Sequence, residues 1–209
     1  MFNVMLDKLP TEYKGHPINS DFRIGIQIFQ LLNDDDFADS EKFYKAYDLL
    51  FLDEDRETGE SVPFKDENGA DIPLPDIQTA QDGIQWFLSD WYTDNPVKSS
   101  REEKKDMDYD VDQWRIFSAF LTQFGINLNE IDMHFWVFMG LLSTLNECAF
   151  TRIVDIRTKP IDPKMAPSDK AELRKVKERY ALEEVEEQMT PQEKADYDAF
   201  MKYAKKGKK

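Results

Sequence analysis

Residues 113–145 read QWRIFSAFLTQFGINLNEIDMHFWVFMGLLSTL, and this stretch decides the fold class. Trp114, Phe117, Phe120, Leu121 and Phe124 recur at helical spacing and predict an inward stripe, with Gly125 placed to end the helix in a left-handed cap. Asn127-Leu-Asn-Glu130 reads as a capping box that opens the next helix. There Ile131, Phe135, Phe138, Leu142 and Leu145 form one stripe, while Trp136, Val137, Met139 and Leu141 make the other faces apolar too. A helix apolar all round is buried on several sides, by its own domain or by a partner.

Working outward, the same periodicity extends in both directions. Ala149 to about Arg157 is a further short helix. Upstream, a helix begins at Ser20 or Asp21, either of which can cap it, with Phe22, Ile26, Phe29 and Leu32 on one stripe and Ile24, Ile28 and Leu31 beside it. A second runs from Asp39 to about Leu52, turning Phe43, Tyr47 and Leu50 or Phe51 inward. A third, from Ile77 to Trp91, shows Ile77, Ala80, Ile84, Phe87, Leu88 and Trp91 on one face. Residues 2–18, with Leu9-Pro10 and Lys14-Gly15, predict a short β-hairpin. Between helices, residues 53–76 lose all periodicity and hold Gly59, Pro63, Gly69, Pro73 and Pro75 among nine acidic residues, which predicts a surface loop or hairpin insertion.

Pro160, Pro163 and Pro167 mark a linker. Beyond it Ser168 to about Gln188 keeps only a thin stripe of Leu173, Val176, Tyr180 and Val185. Thr190-Pro-Gln-Glu193 is a helix start, and the helix after it has Tyr197, Phe200, Met201 and Ala204 to bury before a basic tail from Lys202 to Lys209. The reading is a mainly α chain: a helical core domain over residues 1–160, with the hairpin and the acidic insertion, and a charged helical arm over 161–209.

Fifteen Phe, eight Tyr and four Trp in 209 residues are too much large apolar surface for a disordered chain, and at this size folding hides roughly 70% of the unfolded surface. The single Cys148 excludes an intramolecular disulfide, and the longest run without a polar side chain, Phe135 to Leu142, is far short of the roughly twenty residues of a bilayer span. With no secretory leader at MFNVMLDKLP, these features place the chain in a reducing cytoplasm with no membrane segment. The net charge of −15 is uneven: Asp34 to Asp112 carries 24 acidic and 8 basic residues, the rest of the chain 18 and 19. Such a field repels phosphate backbones, so nucleic acid is not an expected partner.

Chemistry is sparse. His16 and His134 have no cysteine or second histidine at metal-ligand spacing, and Cys148, without a nearby histidine, reads as a buried structural thiol. The segments Asp53–Gly59 and Asp66–Asp71 look like calcium loops until the register is checked, because neither puts glycine sixth and glutamate twelfth from an aspartate. No phosphate loop, nucleophile elbow or zinc signature occurs. The expectation is no catalytic residue, no metal and no cofactor. The candidate partner-binding residues are Trp86, Trp91 and Tyr92, as an aromatic patch, and Arg152 and Arg157, which flank Ile153, Val154 and Ile156 and could pair internally or hold a partner's carboxylates.

Several blocks then carry a resemblance. Pro17-Ile-Asn-Ser-Asp-Phe-Arg23, Tyr109-Asp-Val-Asp112, Phe117-Ser-Ala-Phe120, Gln123-Phe-Gly-Ile126, Leu128-Asn-Glu-Ile131, His134-Phe-Trp136 and Phe150-Thr-Arg-Ile-Val-Asp-Ile-Arg157 stand in the order and spacing of a family encoded just before the tape-measure gene in long-tailed phages of Gram-positive hosts. Lys177 to Leu182 is similar to that family's end. The likeness covers about residues 1–52 and 84–182, and departs at the acidic insertion over 53–76 and in the arm from Glu183 to Lys209. It implies a non-enzymatic tail-assembly chaperone that keeps the tape-measure protein soluble in the host cytoplasm until tail-tube subunits polymerise around it. The tape-measure protein is then the partner, the tail-tube protein a further candidate, and self-association is expected through the arm. The alternative is a structural tail or connector subunit retained in the virion.

Overall fold

A computed structural model describes residues 2–55, 57–89 and 106–182, and the fold is mainly α. The chain divides into two compact units, Met1–Lys104 with Tyr109–Thr151, and Lys105–Asp108 with Arg152–Lys209.

The first unit opens with the expected hairpin, β1 (Glu12–Tyr13) against β2 (His16–Pro17), paired Glu12 to Pro17 and Tyr13 to His16. Lys14 and Gly15 form its two-residue turn at φ of 49° and 85°, the positive values whose twist suits a tight hairpin. Helix α1 (Phe22–Leu32) starts at Asp21, whose carboxylate accepts the Arg23 N–H at 2.9 Å. Helix α2 (Asp39–Phe51) follows, with the Glu41 carboxylate accepting the Ala38 N–H at 3.1 Å. The acidic insertion is a hairpin, β3 (Leu52–Glu54) against β4 (Ser61–Pro63), followed by a turn bridged from Lys65 to Asp71. Helix α3 (Ile77–Ser89), α4 (Gln113–Phe124) and α5 (Phe135–Ser143) complete the unit. Gly125 ends α4 at φ 70°, in the expected left-handed cap.

The core is a file of phenylalanines. Phe138 stacks on Phe22 at 4.9 Å and on Phe120 at 5.1 Å, joining α5 to α1 and α4, and Phe135 meets Phe87 of α3 at 5.1 Å. Gly25 is buried because α5 crosses α1 there: a β-carbon at this position would overlap the Phe135 ring. Gly83 similarly admits Phe51 and Tyr13 to α3, each ring 2.8 Å from where its β-carbon would be. The indole N–H of Trp136 donates to the Phe87 carbonyl at 2.8 Å, fixing α5 to the end of α3.

Several expected inward positions lie outside. In α1 the buried residues are Phe22, Gly25 and Ile28, whereas Phe29 and Leu32 are exposed. Ile77, at the start of α3, is exposed while Ala80, Gly83, Ile84 and Phe87 are buried. In α4 the buried face is Ile116, Ala119 and Phe120; Trp114 is 72% exposed and Leu121 is exposed as well. In α1 and α3 a buried glycine admits a close neighbour, Phe135 at Gly25 and Phe51 with Tyr13 at Gly83, and the inward face of each helix includes that glycine.

The expected helix start at Asn127 is also corrected. Residues 127–134 form a turn and an extended segment, and α5 begins only at Phe135. Asn127 instead closes a local turn, its side-chain oxygen accepting the Asn129 N–H at 3.1 Å. The Phe22 N–H donates to the Met133 carbonyl and the Phe135 N–H to the Ser20 carbonyl, both at 2.8 Å. Arg23 donates to the carbonyls of Leu128 and Ile131 at 2.9 and 3.0 Å. These partners hold backbone groups that a helix would need for itself. Ile131, set in that segment, is exposed.

The second unit includes most of α6 (Ala149–Thr158) and all of α7 (Pro167–Arg179). Within it Arg157 donates from Nε to the Tyr180 carbonyl at 2.7 Å and from a terminal nitrogen to the Asp106 carbonyl at 3.2 Å, while Lys177 donates to the Arg157 carbonyl at 2.7 Å. Helix α7 has no buried residue. The expected helix after Thr190 and the basic tail lie outside the described residues.

Candidate partner-binding groove

The candidate site grows out of the rotation of α4. This helix carries Trp114, Ile116, Phe117, Ala119, Phe120, Leu121 and Phe124, more apolar surface than one neighbouring face can cover. With Ile116, Ala119 and Phe120 turned inward, Trp114 and Phe117 face a groove between α1 and α4, their rings in edge contact at 5.8 Å. The groove has a volume of about 390 Å³ and opens to solvent, with Phe22, Ile116, Leu128 and Phe138 along its floor and Arg23, Gln30, Asp110, Gln113 and Asn129 at its polar edge.

The walls are held stiffly. Tyr109 sits edge-on to Phe29 at 5.6 Å and donates its hydroxyl to the Met139 sulfur at 3.5 Å; burial raises its phenol pKa to about 12. Just before α4, the fully buried Asp112 accepts from Arg115 at 2.9 Å. On the α1 side, Arg23 pairs with the Asp21 carboxylate at 3.1 Å, lies 3.8 Å from Asp132 and stacks 4.6 Å from the Phe22 ring centre. Its planar fork therefore ties the start of α1 to the 127–134 segment, a task that suits guanidinium better than ammonium.

His134 caps α5: its Nδ1 accepts the Trp136 N–H at 3.1 Å while Nε2 lies 2.9 Å from the Pro10 carbonyl. The arrangement selects the tautomer with hydrogen on Nε2. Burial lowers the His134 pKa, and the bond to Pro10 opposes that shift. His16 likewise serves structure, with Nδ1 2.9 Å from the Pro73 carbonyl.

The groove has an apolar floor, Trp114 exposed and Phe117 half-buried on one wall and polar groups at the edge, an arrangement suited to packing apolar surface and not to bond-making chemistry. Among the described residues singled out by sequence, Trp86, Arg152 and Arg157, none lines this groove. Trp86 is half-buried, with ring centres 4.9 Å from Tyr13 and 5.0 Å from Trp136, so it belongs to the packing around the hairpin. Trp91 and Tyr92 lie outside the described residues. Arg152 is exposed, and Arg157 is spent on the Tyr180 and Asp106 carbonyls of the second unit. Cys148, expected to be buried, is half-buried, with the Thr151 hydroxyl 3.6 Å from its sulfur.

Helical spacing predicts Trp114 and Phe117 in the core, whereas Trp114 is exposed and Phe117 half-buried. The surplus of large apolar residues on α4 was the one signal that could have marked them as a surface. Among the described residues no helix is long and apolar enough to cross a membrane.

Residues 5–182 match the model of a family described as Bacteriophage Gp15 protein. No curated protein and no solved structure matches the chain.

Proposed function

Because the chain belongs to the Bacteriophage Gp15 protein family across residues 5–182, we propose that it is a tail-assembly chaperone that binds helices of the phage tape-measure protein in the host cytoplasm. The observation that carries this reading is the open apolar groove between α1 and α4, with the indole of Trp114 72% exposed beside it. A tape-measure protein is long and helical, and before the tube forms around it its apolar stripes have nothing to cover them. A soluble acidic carrier that offers an aromatic groove can cover such a stripe one segment at a time. The excess of carboxylates keeps loaded carriers apart. In this role the protein performs no catalysis and needs no cofactor, metal or nucleic acid.

The test is co-expression with the tape-measure protein of the same genome. The expected outcome is a soluble tape-measure protein that co-elutes with this chain, and whose solubility falls when Trp114→Ala is introduced. Trp114 is exposed, so this substitution should leave folding intact; truncation of a central interface tryptophan costs about 2 kcal/mol or more of binding, roughly thirtyfold in affinity. A tape-measure protein that stays insoluble, together with recovery of this chain from purified tails, would move it to the alternative class of retained structural subunits.

A further inference from the structure

The lining of the groove is electrically neutral. Arg23 and Asp110 are the charged residues in it, and their charges cancel. Neither is open to a newcomer. One terminal nitrogen of Arg23 donates to the Asp21 carboxylate at 3.1 Å and the other to the carbonyls of Leu128 and Ile131 at 2.9 and 3.0 Å, and Asp110 is engaged within the chain as well. The carboxamides of Gln30, Gln113 and Asn129 share the edge with them. Gln113 donates to the Asp110 carbonyl at 2.8 Å, whereas the side-chain amides of Gln30 and Asn129 have no hydrogen-bond partner among the described residues. A charged side chain entering here would give up its hydration and meet no unmatched opposite charge, which costs more than covering an amide that another amide can bond. At about 390 Å³ the groove is near the small end of binding pockets, which run to about 300–1,000 Å³. It therefore takes a few side chains from about two turns of a helix, not the girth of the helix itself.

We propose that the groove selects its client segments by neutrality: it takes a helical stretch whose apolar stripe is bordered by uncharged hydrogen-bonding side chains, Gln, Asn, Ser or Thr, and rejects one bordered by Lys, Arg, Asp or Glu. This rests on the reading of the groove as a helix-binding site and names what that helix must carry. The net charge of −15 draws a cationic segment from a distance, but at physiological salt that field is screened over about 8 Å, and the contact itself offers a cation nothing. A stripe bordered by amides and hydroxyls gains bonds from Gln30 and Asn129 and leaves no charge buried. The discrimination is made as much by the cost imposed on the wrong segment as by attraction to the right one.

Fluorescence anisotropy of labelled helical peptides titrated with the full chain tests the proposal. The peptides share one stripe of leucines at i, i+3, i+4 and i+7 and one mixed-charge far face for solubility; the positions bordering the stripe are Gln and Ser in the first, Lys in the second and Glu in the third. At about 0.15 M salt the neutral-bordered peptide should bind about tenfold tighter than either charged one, and its affinity should not fall as salt is added. Gln30→Glu and, at an exposed position, Asn129→Asp put a carboxylate at the edge and should each shift the preference toward the Lys-bordered peptide. Trp114→Ala should weaken the neutral-bordered peptide about thirtyfold. Charged peptides that match or exceed the neutral one on the wild-type chain, with all binding lost in Trp114→Ala, overturn selection by neutrality and leave the groove reading standing. Binding of no peptide, or binding that Trp114→Ala does not weaken, removes the groove reading and this inference with it.

Discussion

Replacing Gly25 by alanine puts a methyl group where α1 and α5 cross, and the consequence can be worked from the structure. The added carbon overlaps the Phe135 ring. Phe135 cannot swing aside, because it is 2% exposed, packs against Phe87 at 5.1 Å and has its N–H bonded to the Ser20 carbonyl at 2.8 Å. Overfilling a well-packed core costs about 1–3 kcal/mol and sometimes more, whereas alanine in place of glycine inside a helix returns about 0.5–1 kcal/mol. The overlap involves ring atoms with no free side, so the upper part of that range applies and the net loss is about 2 kcal/mol. For a chain of this length that lowers Tm by about 4–8 °C. Gly140→Ala in α5 is the matched control: nothing lies within 4 Å of its added carbon, and the same propensity term should raise stability by about 0.5–1 kcal/mol. Urea unfolding followed by circular dichroism measures both midpoints. A Gly25→Ala protein as stable as wild type would refute the claim that this crossing depends on the missing side chain.

Arg23→Lys should destabilise by about 1–2 kcal/mol in the same assay, because one ammonium cannot reach Asp21, Leu128 and Ile131 together as the guanidinium does; an unchanged midpoint would show that these bonds are replaced by water at no cost. The pKa of His134 lies below its usual 6.5, chiefly through burial, so as pH falls below about 6.5 the unfolded chain takes up this proton first and stability declines; above that window the contribution is constant. His134→Asn, which keeps a capping acceptor without titrating, should flatten the slope, and urea midpoints read across that window decide it. Ultraviolet titration should find one of the eight tyrosines ionising near pH 12, where burial places Tyr109, and Tyr109→Phe should remove that late step. Since the unfolded phenol ionises near 10, stability should drop above that pH.

Much of the local structure was legible in the sequence because its causes are local. The Lys14-Gly15 turn, the Asp21 cap, the Gly125 terminus and the helix at Ala149 each follow from the conformational preference or hydrogen-bonding reach of residues within one turn of each other. Asn127-Leu-Asn-Glu130 shows the boundary of that reasoning. Locally it is a capping box, yet the carbonyls that a helix would need are taken by Arg23 and Phe22, more than a hundred residues earlier in the chain.

The amino-acid sequence by itself determined the mainly α class, the surface insertion in the acidic stretch and the uneven charge, since apolar periodicity, turn residues and ionisable groups are properties of short segments. Only the tertiary structure decided which part of each apolar helix faces inward. Ile28 is buried and Phe29 is not, and Ala119 is buried where Trp114 is exposed, because rotation of a helix is set by close packing with its neighbours. Gly25 and Phe135 fill one another's space, and that fit turns α1. On α4 the inward face is Ile116, Ala119 and Phe120, which leaves the aromatics Trp114 and Phe117 beside the groove. Hydrophobicity says that a residue prefers to be covered; the geometry of packing says which ones the protein leaves exposed.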